Sequence, residues 1–164
     1  MWSFVPGRAR SGPRSPLRGP LGPRTIKLAV GLAVGSPAPA VAGVTPAGDP
    51  VVVEASGPGP PVVLAFLTSG CRECRWWWRA LGDRGAPPLV GSVTVVTPGP
   101  STESARAVAR IAPDGLRVVM SSEAWEAYGV GLASSFAVLS AGRLAGAGWT
   151  SNWAGLTALS AGTS

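Results

Sequence analysis

The pattern of apolar and polar positions along the chain predicts strands that alternate with helices. Residues 61–67 form an apolar run without alternation, which is typical of a strand buried on both faces of a sheet. A helical stretch over residues 72–81 follows this run and ends at Gly82. Further strands are predicted at residues 51–54, 93–96, 116–120, 136–139 and 144–148, and further helices at residues 102–112, 123–128 and 152–159.

The predicted order of elements is β, β, α, β, α, β, α, β, β, α. Strands joined through helices indicate parallel pairing, and the closing pair of strands around residues 141–143 forms an antiparallel hairpin. Serines or threonines precede three of the helices as N-caps, namely Ser101, the pair Ser121 and Ser122, and either Thr150 or Ser151. We therefore expect an α/β fold, a mixed central sheet flanked by helices.

The N-terminal segment differs in composition from the rest. Residues 1–27 carry six of the 14 basic residues, five prolines and no acidic residue, so we expect a disordered basic tail followed by a short apolar linker up to residue 33. The remaining eight basic residues are balanced by the eight acidic residues, and no nucleic-acid-binding face is expected on the domain at 34–164. Weak contact of the tail with a membrane surface stays open.

Membrane insertion and secretion are only weakly indicated. The apolar stretch at residues 28–35 is far shorter than the roughly 20 residues that a transmembrane helix needs. The basic segment, this stretch and residues 40–42 match the outline of a secretory signal, although glycine and two nearby prolines dilute the match.

The chemically informative feature is a pair of cysteines. Cys71 and Cys74 are the two cysteines of the chain, and there is no histidine, which excludes Ser-His and Cys-His catalysis and histidine metal ligands. The pair lies between a buried strand and the start of a helix, where unpaired amides favour a thiolate. We expect Cys71 to be the attacking thiol and Cys74 the resolving thiol. Inert thiols, a stable disulfide and a metal site remain alternatives.

Neighbouring residues are candidates for tuning this pair. Arg72 and Arg75 add positive charge near Cys71, and Glu73 partly offsets it. A tetrahedral metal site needs four ligands, so the two cysteines of one chain predict no metal site, and only a metal-bridged dimer would supply four thiolates. No bound organic cofactor is expected.

Three consecutive tryptophans follow the cysteine pair. Successive helical residues point about 100° apart, so at least one of Trp76, Trp77 and Trp78 should lie at the surface. Trp76 and Trp77 are candidates for a surface that binds a partner protein. The alternative is that two of the rings pack on the sheet and one covers a loop.

The order of elements, with a CxxC motif at the start of a helix, resembles thioredoxin. In more detail, residues 34–39, 66–75 and 128–139 resemble the TlpA-type disulfide reductases of the alkyl hydroperoxide reductase and thiol-specific antioxidant group, and methylamine-utilisation accessory proteins are a close variant. The resemblance implies a thioredoxin-like fold with an α/β insertion at residues 101–120 between its two halves. It also implies a thiol–disulfide oxidoreductase that exchanges electrons with a dithiol or disulfide protein in an extracytoplasmic or membrane-associated location.

One position departs from this family. Where the family has a cis-proline facing the CxxC motif, this chain has Ser134, followed by Ser135, and no proline occurs after Pro113. A cis bond before a non-proline residue costs about 2.5–4 kcal/mol, so we expect a trans bond at Ser134. Because the family's proline shapes the substrate groove, the resemblance places Ser134 and Ser135 at that groove. A binding or assembly module with weakened catalysis is therefore the alternative function.

Overall fold

The computed structural model describes residues 29–55, 57–83 and 91–161, and in these ranges seven strands form one sheet flanked by four helices. The predicted disorder of residues 1–27 lies outside the described residues. The strands are β1 (Val41–Val44), β2 (Pro50–Val53), β3 (Val62–Phe66), β4 (Ser92–Thr97), β5 (Arg117–Met120), β6 (Ser135–Ser140) and β7 (Arg143–Trp149), and the helices are α1 (Arg72–Gly82), α2 (Ala105–Ile111), α3 (Ser122–Ala127) and α4 (Trp153–Ala161).

The sheet is mixed, as the sequence predicts. Its strand order is β2-β1-β5-β4-β3-β6-β7. Strand β4 pairs in parallel with β3 and β5, and β6 and β7 form the antiparallel hairpin. One pairing differs from the simple rule that helices join parallel strands, because β6 follows α3 and yet runs antiparallel to β3. Strand β3 therefore lies between a parallel and an antiparallel neighbour.

The apolar run of β3 is explained by a sheet that is covered on both faces. Successive strand residues point to opposite faces. Val63 and Ala65 belong to the hydrophobic cluster that includes α1, and Leu64 and Phe66 belong to the cluster on the other face. All four are fully buried, and burial of a large apolar side chain contributes about 1.5–3 kcal/mol. This burial fixes the strand that leads into the CxxC motif.

Some predicted boundaries are wrong, and one strand was not predicted. Strand β1 is short and glycine-containing, and it is defined by antiparallel pairing with β2 and a contact with β5. Ser104, not Ser101, caps α2, because its hydroxyl accepts from the amide of Ala107 at 3.2 Å. Asn152, rather than Thr150 or Ser151, accepts the amide of Gly155 at the start of α4.

Part of the predicted linker is bonded to the domain. Val30 forms an antiparallel bridge with Val130, and the amide of Gly31 donates to the carbonyl of Gly129 at 2.8 Å. The amide of Leu32 donates to the carbonyl of Tyr128 at 3.1 Å. Residues 29–32 thus pack beside the loop that leads from α3 towards β6.

Candidate active site

Cys71 occupies the N-cap position of α1. Its backbone is extended, with φ −78° and ψ 132°, and its sulfur accepts a hydrogen bond from the amide of Cys74 at 3.2 Å. A cap is needed here because the first amides of a helix have no partner within the helix. The sulfur of Cys71 is half-buried and lies at the positive end of the helix dipole.

Cys74 lies one helical turn further on and is fully buried. Its sulfur accepts from the amide of Thr68 at 3.5 Å and lies 3.5 Å from the hydroxyl of Ser134. The pKa of the Cys74 thiol is raised to about 11, chiefly by burial and also by the hydrogen bond with Cys71, whereas Ser134 and Thr68 act in the opposite direction. Cys74 is therefore protonated at neutral pH. Both cysteines are free thiols.

Ser134 connects the loop before β6 to the two sulfurs. Its hydroxyl lies 3.8 Å from the sulfur of Cys71 and 3.5 Å from that of Cys74. Its side chain is fully buried, and its backbone is left-handed, with φ 65°. The amide of Ser134 donates to the carbonyl of Phe66 at 2.9 Å, and its carbonyl accepts from the amide of Thr150 at 3.3 Å. The loop is thereby held between β3 and the end of β7.

This geometry differs from that of a proline loop. Proline fixes φ near −65° and has no amide hydrogen, whereas Ser134 has φ 65° and donates its amide hydrogen. Within the described residues there is no cis peptide bond, so the expected trans bond at Ser134 is confirmed. Ser135 is also buried, but its hydroxyl donates to the carbonyl of Leu132 at 2.6 Å and makes no hydrogen bond to a sulfur. Ser135 stabilises the loop and does not line an open groove.

The charged residues of the motif lie outside the core. Arg72, Glu73 and Arg75 are exposed on the first turns of α1. The Cys71 thiol donates to Oε2 of Glu73 at 3.6 Å. Arg75 and Ser69 line a cleft beside α1. Glu73 therefore contacts the outer sulfur, and Arg75 contributes to a neighbouring surface.

Glu103 is a residue of this site that the sequence analysis did not identify. Its Oε2 accepts from the amide of Ser69 at 3.2 Å, and its Oε1 accepts a short hydrogen bond from the hydroxyl of Ser69. Glu103 is placed there because its own amide, like that of Thr102, donates to the carbonyl of Gly99 in the turn after β4. The carboxylate thus holds the loop immediately before Cys71.

The three tryptophans divide between core and surface. Trp76 is 44% exposed, as expected for at least one ring, whereas Trp77 and Trp78 are buried. The indole of Trp77 donates to the carbonyl of Thr150 at 2.9 Å, and that of Trp78 donates to the carbonyl of Thr68 at 3.1 Å. The assignment of Trp77 to a partner surface is therefore wrong, and this ring instead links α1 to the end of β7. Trp76 alone retains the surface position.

The described part of the chain contains no cluster of three or more histidine, cysteine or acidic residues suited to a metal ion. Its helices are also too short or too polar to cross a bilayer.

The comparisons with known proteins rest on structure. No protein-family model matches the chain, and no curated protein sequence matches it. A solved putative thiol:disulfide interchange protein DsbE from Chlorobium tepidum superposes with a TM-score of 0.60 at 20% identity, over 80% of this chain and 95% of that one. The thioredoxin domain of a thiol-disulfide oxidoreductase from Bacteroides vulgatus gives 0.58 at 17% identity, over 77% and 97%.

A peroxiredoxin-like protein from Aquifex aeolicus is similar to the same extent, with a TM-score of 0.59 at 16% identity, over 81% of this chain and 88% of that one. At these identities the likeness establishes the fold and not the reaction. The mixed sheet, the order of elements and these superpositions together show that the chain has a thioredoxin-like fold, with Cys71 and Cys74 at the start of its first helix.

Proposed function

We propose that the protein is a thiol–disulfide oxidoreductase of the TlpA type, which exchanges electrons with a dithiol or disulfide protein. The observation that carries the proposal is the asymmetry of the cysteine pair. Cys71 is half-exposed at the helix N-cap. Cys74 is buried, and its amide donates a hydrogen bond to the sulfur of Cys71. Such an arrangement suits a nucleophile that meets the substrate and a second thiol that resolves the intermediate.

The reaction takes place in two exchange steps. The Cys71 thiolate attacks a substrate disulfide, which forms a mixed disulfide and releases one substrate thiolate. The thiol of Cys74 then attacks the sulfur of Cys71 and its proton passes to the departing substrate sulfur, so that the Cys71–Cys74 disulfide forms and the second substrate cysteine leaves as a thiol. The substrate gains two electrons, and another dithiol protein reduces the Cys71–Cys74 disulfide by the reverse sequence. With an oxidising partner, the same steps run in the opposite direction.

The second step requires deprotonation of a buried thiol. Because burial raises the pKa of Cys74 to about 11, this thiol needs a neighbouring group that stabilises its anion during attack. Among the described residues, the hydroxyl of Ser134 at 3.5 Å and the amide of Thr68 at 3.5 Å are the polar groups in contact with the sulfur, apart from Cys71 itself. We assign Ser134 this stabilising role, which a proline at the same position would lack.

A protein substrate is supported by the surface around the site. Trp76, Leu132 and Trp149 are exposed large apolar residues, 44%, 45% and 50% accessible. Trp76 follows Cys74 by two residues, Leu132 precedes Ser134 by two, and Trp149 pairs with Ser135 across the hairpin. Exposed apolar groups of this kind suit a polypeptide that docks over the cysteines.

One observation favours a second candidate, a binding or assembly module with weak catalysis. In the Ser134 loop, Ser134 has a left-handed backbone and its amide already donates a hydrogen bond to Phe66, where related folds dock substrates on a proline.

The extracytoplasmic or membrane-associated location that accompanies TlpA-type proteins is part of the first proposal.

An insulin-reduction assay with dithiothreitol separates the two candidates. The oxidoreductase should accelerate turbidity well above the Cys71→Ser variant. In a separate incubation of pre-reduced Cys74→Ser with insulin and without dithiothreitol, a mixed disulfide should accumulate and be visible on a non-reducing gel. Turbidity equal to that of Cys71→Ser, with no trapped mixed disulfide, would reject the oxidoreductase and leave the binding module. Metal analysis of anaerobically purified protein tests the metal-bridged dimer.

A further inference from the structure

A cleft with a volume of about 450 Å³ lies beside the CxxC helix. It is lined by Ser69, Arg75, Trp78, Arg79 and Ile111. Ser69 is two residues before Cys71, and Arg75 directly follows Cys74, so the cleft is lined by the same loop and helix that carry the cysteine pair. Residues 75 and 79 are one helical turn apart on α1, which places their guanidinium groups on the same side of the helix.

The charge of the cleft is positive. Helices α1 and α2 together carry five arginines, Arg72, Arg75, Arg79, Arg106 and Arg110, against Glu73 within α1 and Asp83 at its C-cap. The carboxylate of Glu103 is nearby, but both of its oxygens accept hydrogen bonds from Ser69. Arg75 and Arg79 are both exposed, so their guanidinium groups are accessible to an external carboxylate.

The cleft also has an apolar side. Trp78 is almost completely buried and forms its floor, and Ile111, at the C-terminal end of α2, is 37% exposed at its edge. A ligand that fits both features carries a carboxylate next to an apolar group. An extended polypeptide segment supplies both, and it can also reach the adjacent sulfur of Cys71.

We infer that this cleft binds an acidic residue of the substrate protein, located a few residues from the cysteine that Cys71 attacks. The inference rests on the proposed function and names the substrate class for the same site. The chain's own N-terminal segment is an unsuitable occupant, because residues 1–27 are basic and contain no acid. Guanidinium groups pair with carboxylates in a bidentate manner, which makes arginine suited to this recognition.

The test uses a set of short disulfide peptides that differ at one position. A single Glu is placed two to six residues from the cysteine on either side, and each peptide has a twin with Gln at that position. Pre-reduced protein is mixed with each peptide, and the reduction rate is followed by stopped flow. At the best position the Glu peptide should react about fivefold faster than its Gln twin at low salt, with the preference shrinking at 0.5 M salt.

Arg79→Gln is the informative variant, because residue 79 is more than one helical turn from either cysteine. It should reduce the Glu-to-Gln rate ratio to below about twofold. Arg117→Gln is the matched control, since it removes the same charge from an exposed residue of β5 that does not line the cleft. Its rate ratio should equal that of the wild type. A ratio near one in the wild type at all positions, or an equal loss in both variants, would overturn the cleft assignment.

A binding measurement tests the cleft independently of the proposed function. A fluorescein-labelled Glu peptide with serine in place of cysteine is titrated with Cys71→Ser protein, with and without Arg79→Gln. If no peptide is reduced faster by the wild type than by Cys71→Ser, the proposed function fails. Arg79-dependent binding of the serine peptide would then still support the cleft, and binding that Arg79→Gln leaves unchanged would reject it.

Discussion

The hydroxyl of Ser134 lies 3.5 Å from the sulfur of Cys74, and the amide of the same serine donates to the carbonyl of Phe66 at 2.9 Å. One residue therefore links the strand that precedes the CxxC motif to the buried thiol of that motif. Its left-handed φ of 65° allows both contacts at once. Left-handed backbone costs a non-glycine residue about 1–2 kcal/mol, so the surrounding hydrogen bonds must hold this conformation.

The first prediction is that restoring proline at position 134 does not restore a proline-type loop. Ser134→Pro removes the amide donor to Phe66 and requires a φ near −65°, so it should lower the free energy of unfolding by about 3 kcal/mol or more. Urea denaturation of the reduced protein measures this change. A variant as stable as the wild type, with higher disulfide reductase activity, would show that the loop adapts to proline.

The second prediction concerns the hydroxyl itself. Ser134→Gly removes the group that faces both sulfurs but accepts the left-handed backbone, so the free energy of unfolding should stay within about 1 kcal/mol of the wild type. A hydrogen bond to a charged group contributes about 1.5–3 kcal/mol. Loss of such a bond to the Cys74 thiolate should slow resolution of the mixed disulfide about tenfold.

Acid-quenched samples separated on non-reducing gels give the lifetime of that mixed disulfide. If Ser134→Gly resolves it as fast as the wild type while the fold remains intact, the hydroxyl has no part in the step.

The third prediction links the buried thiol to stability at alkaline pH. The pKa of Cys74 is raised from 9.0 to about 11 in the folded protein, so the folded state favours the protonated thiol. This contribution is fully present below pH 9 and is lost as the pH rises from about 9 to about 11. The free energy of unfolding under reducing conditions should therefore fall by about 2 kcal/mol between pH 8 and pH 10.5.

Cys74→Ala serves as the reference for this measurement. It lacks the thiol but keeps Tyr128, whose pKa is also raised by burial, to about 12. Between pH 8 and pH 10.5 the free energy of unfolding of the wild type should fall by about 2 kcal/mol more than that of Cys74→Ala. Equal slopes for the two proteins would mean that Cys74 ionises as easily in the folded state as in the unfolded state.

The sequence predicted those helices and strands that a local pattern of apolar, capping or turn residues determines. Strand β3 is an apolar run because both of its faces are covered, and α1 begins at Arg72 because Cys71, after the bend at residues 69–70, supplies its N-cap. The short strand β1 has no such signal. Gly43 lies in its middle, and an added Cβ there would come within 2.2 Å of the Met120 carbonyl oxygen, so close packing against β5 explains the glycine.

The candidate site was predictable in its cysteines and, through the family resemblance, in the position of Ser134, but not in the individual hydrogen bonds between distant residues. Glu103 and Ser69 are 34 residues apart, and Ser134 and Cys74 are 60 residues apart. Neither distance follows from periodicity, because both depend on how the turn after β4 and the loop before β6 pack at the end of the sheet. The burial of Trp77 has the same origin, since the carbonyl of Thr150 that its indole meets is 73 residues away.

The fourth prediction is that Glu103 stabilises the loop that presents Cys71. Glu103→Ala removes acceptors for both the amide and the hydroxyl of Ser69, and a part-buried donor left without a partner costs about 1–3 kcal/mol. Amide hydrogen exchange in residues 68–70 should therefore become faster, while exchange in β3 stays unchanged. Glu126→Ala is the matched control, because it removes an exposed carboxylate from the last turn of α3. Faster exchange in both variants would indicate a general loss of stability, and unchanged exchange in Glu103→Ala would mean that the loop is held by its other contacts, such as the bond from Trp78 to Thr68.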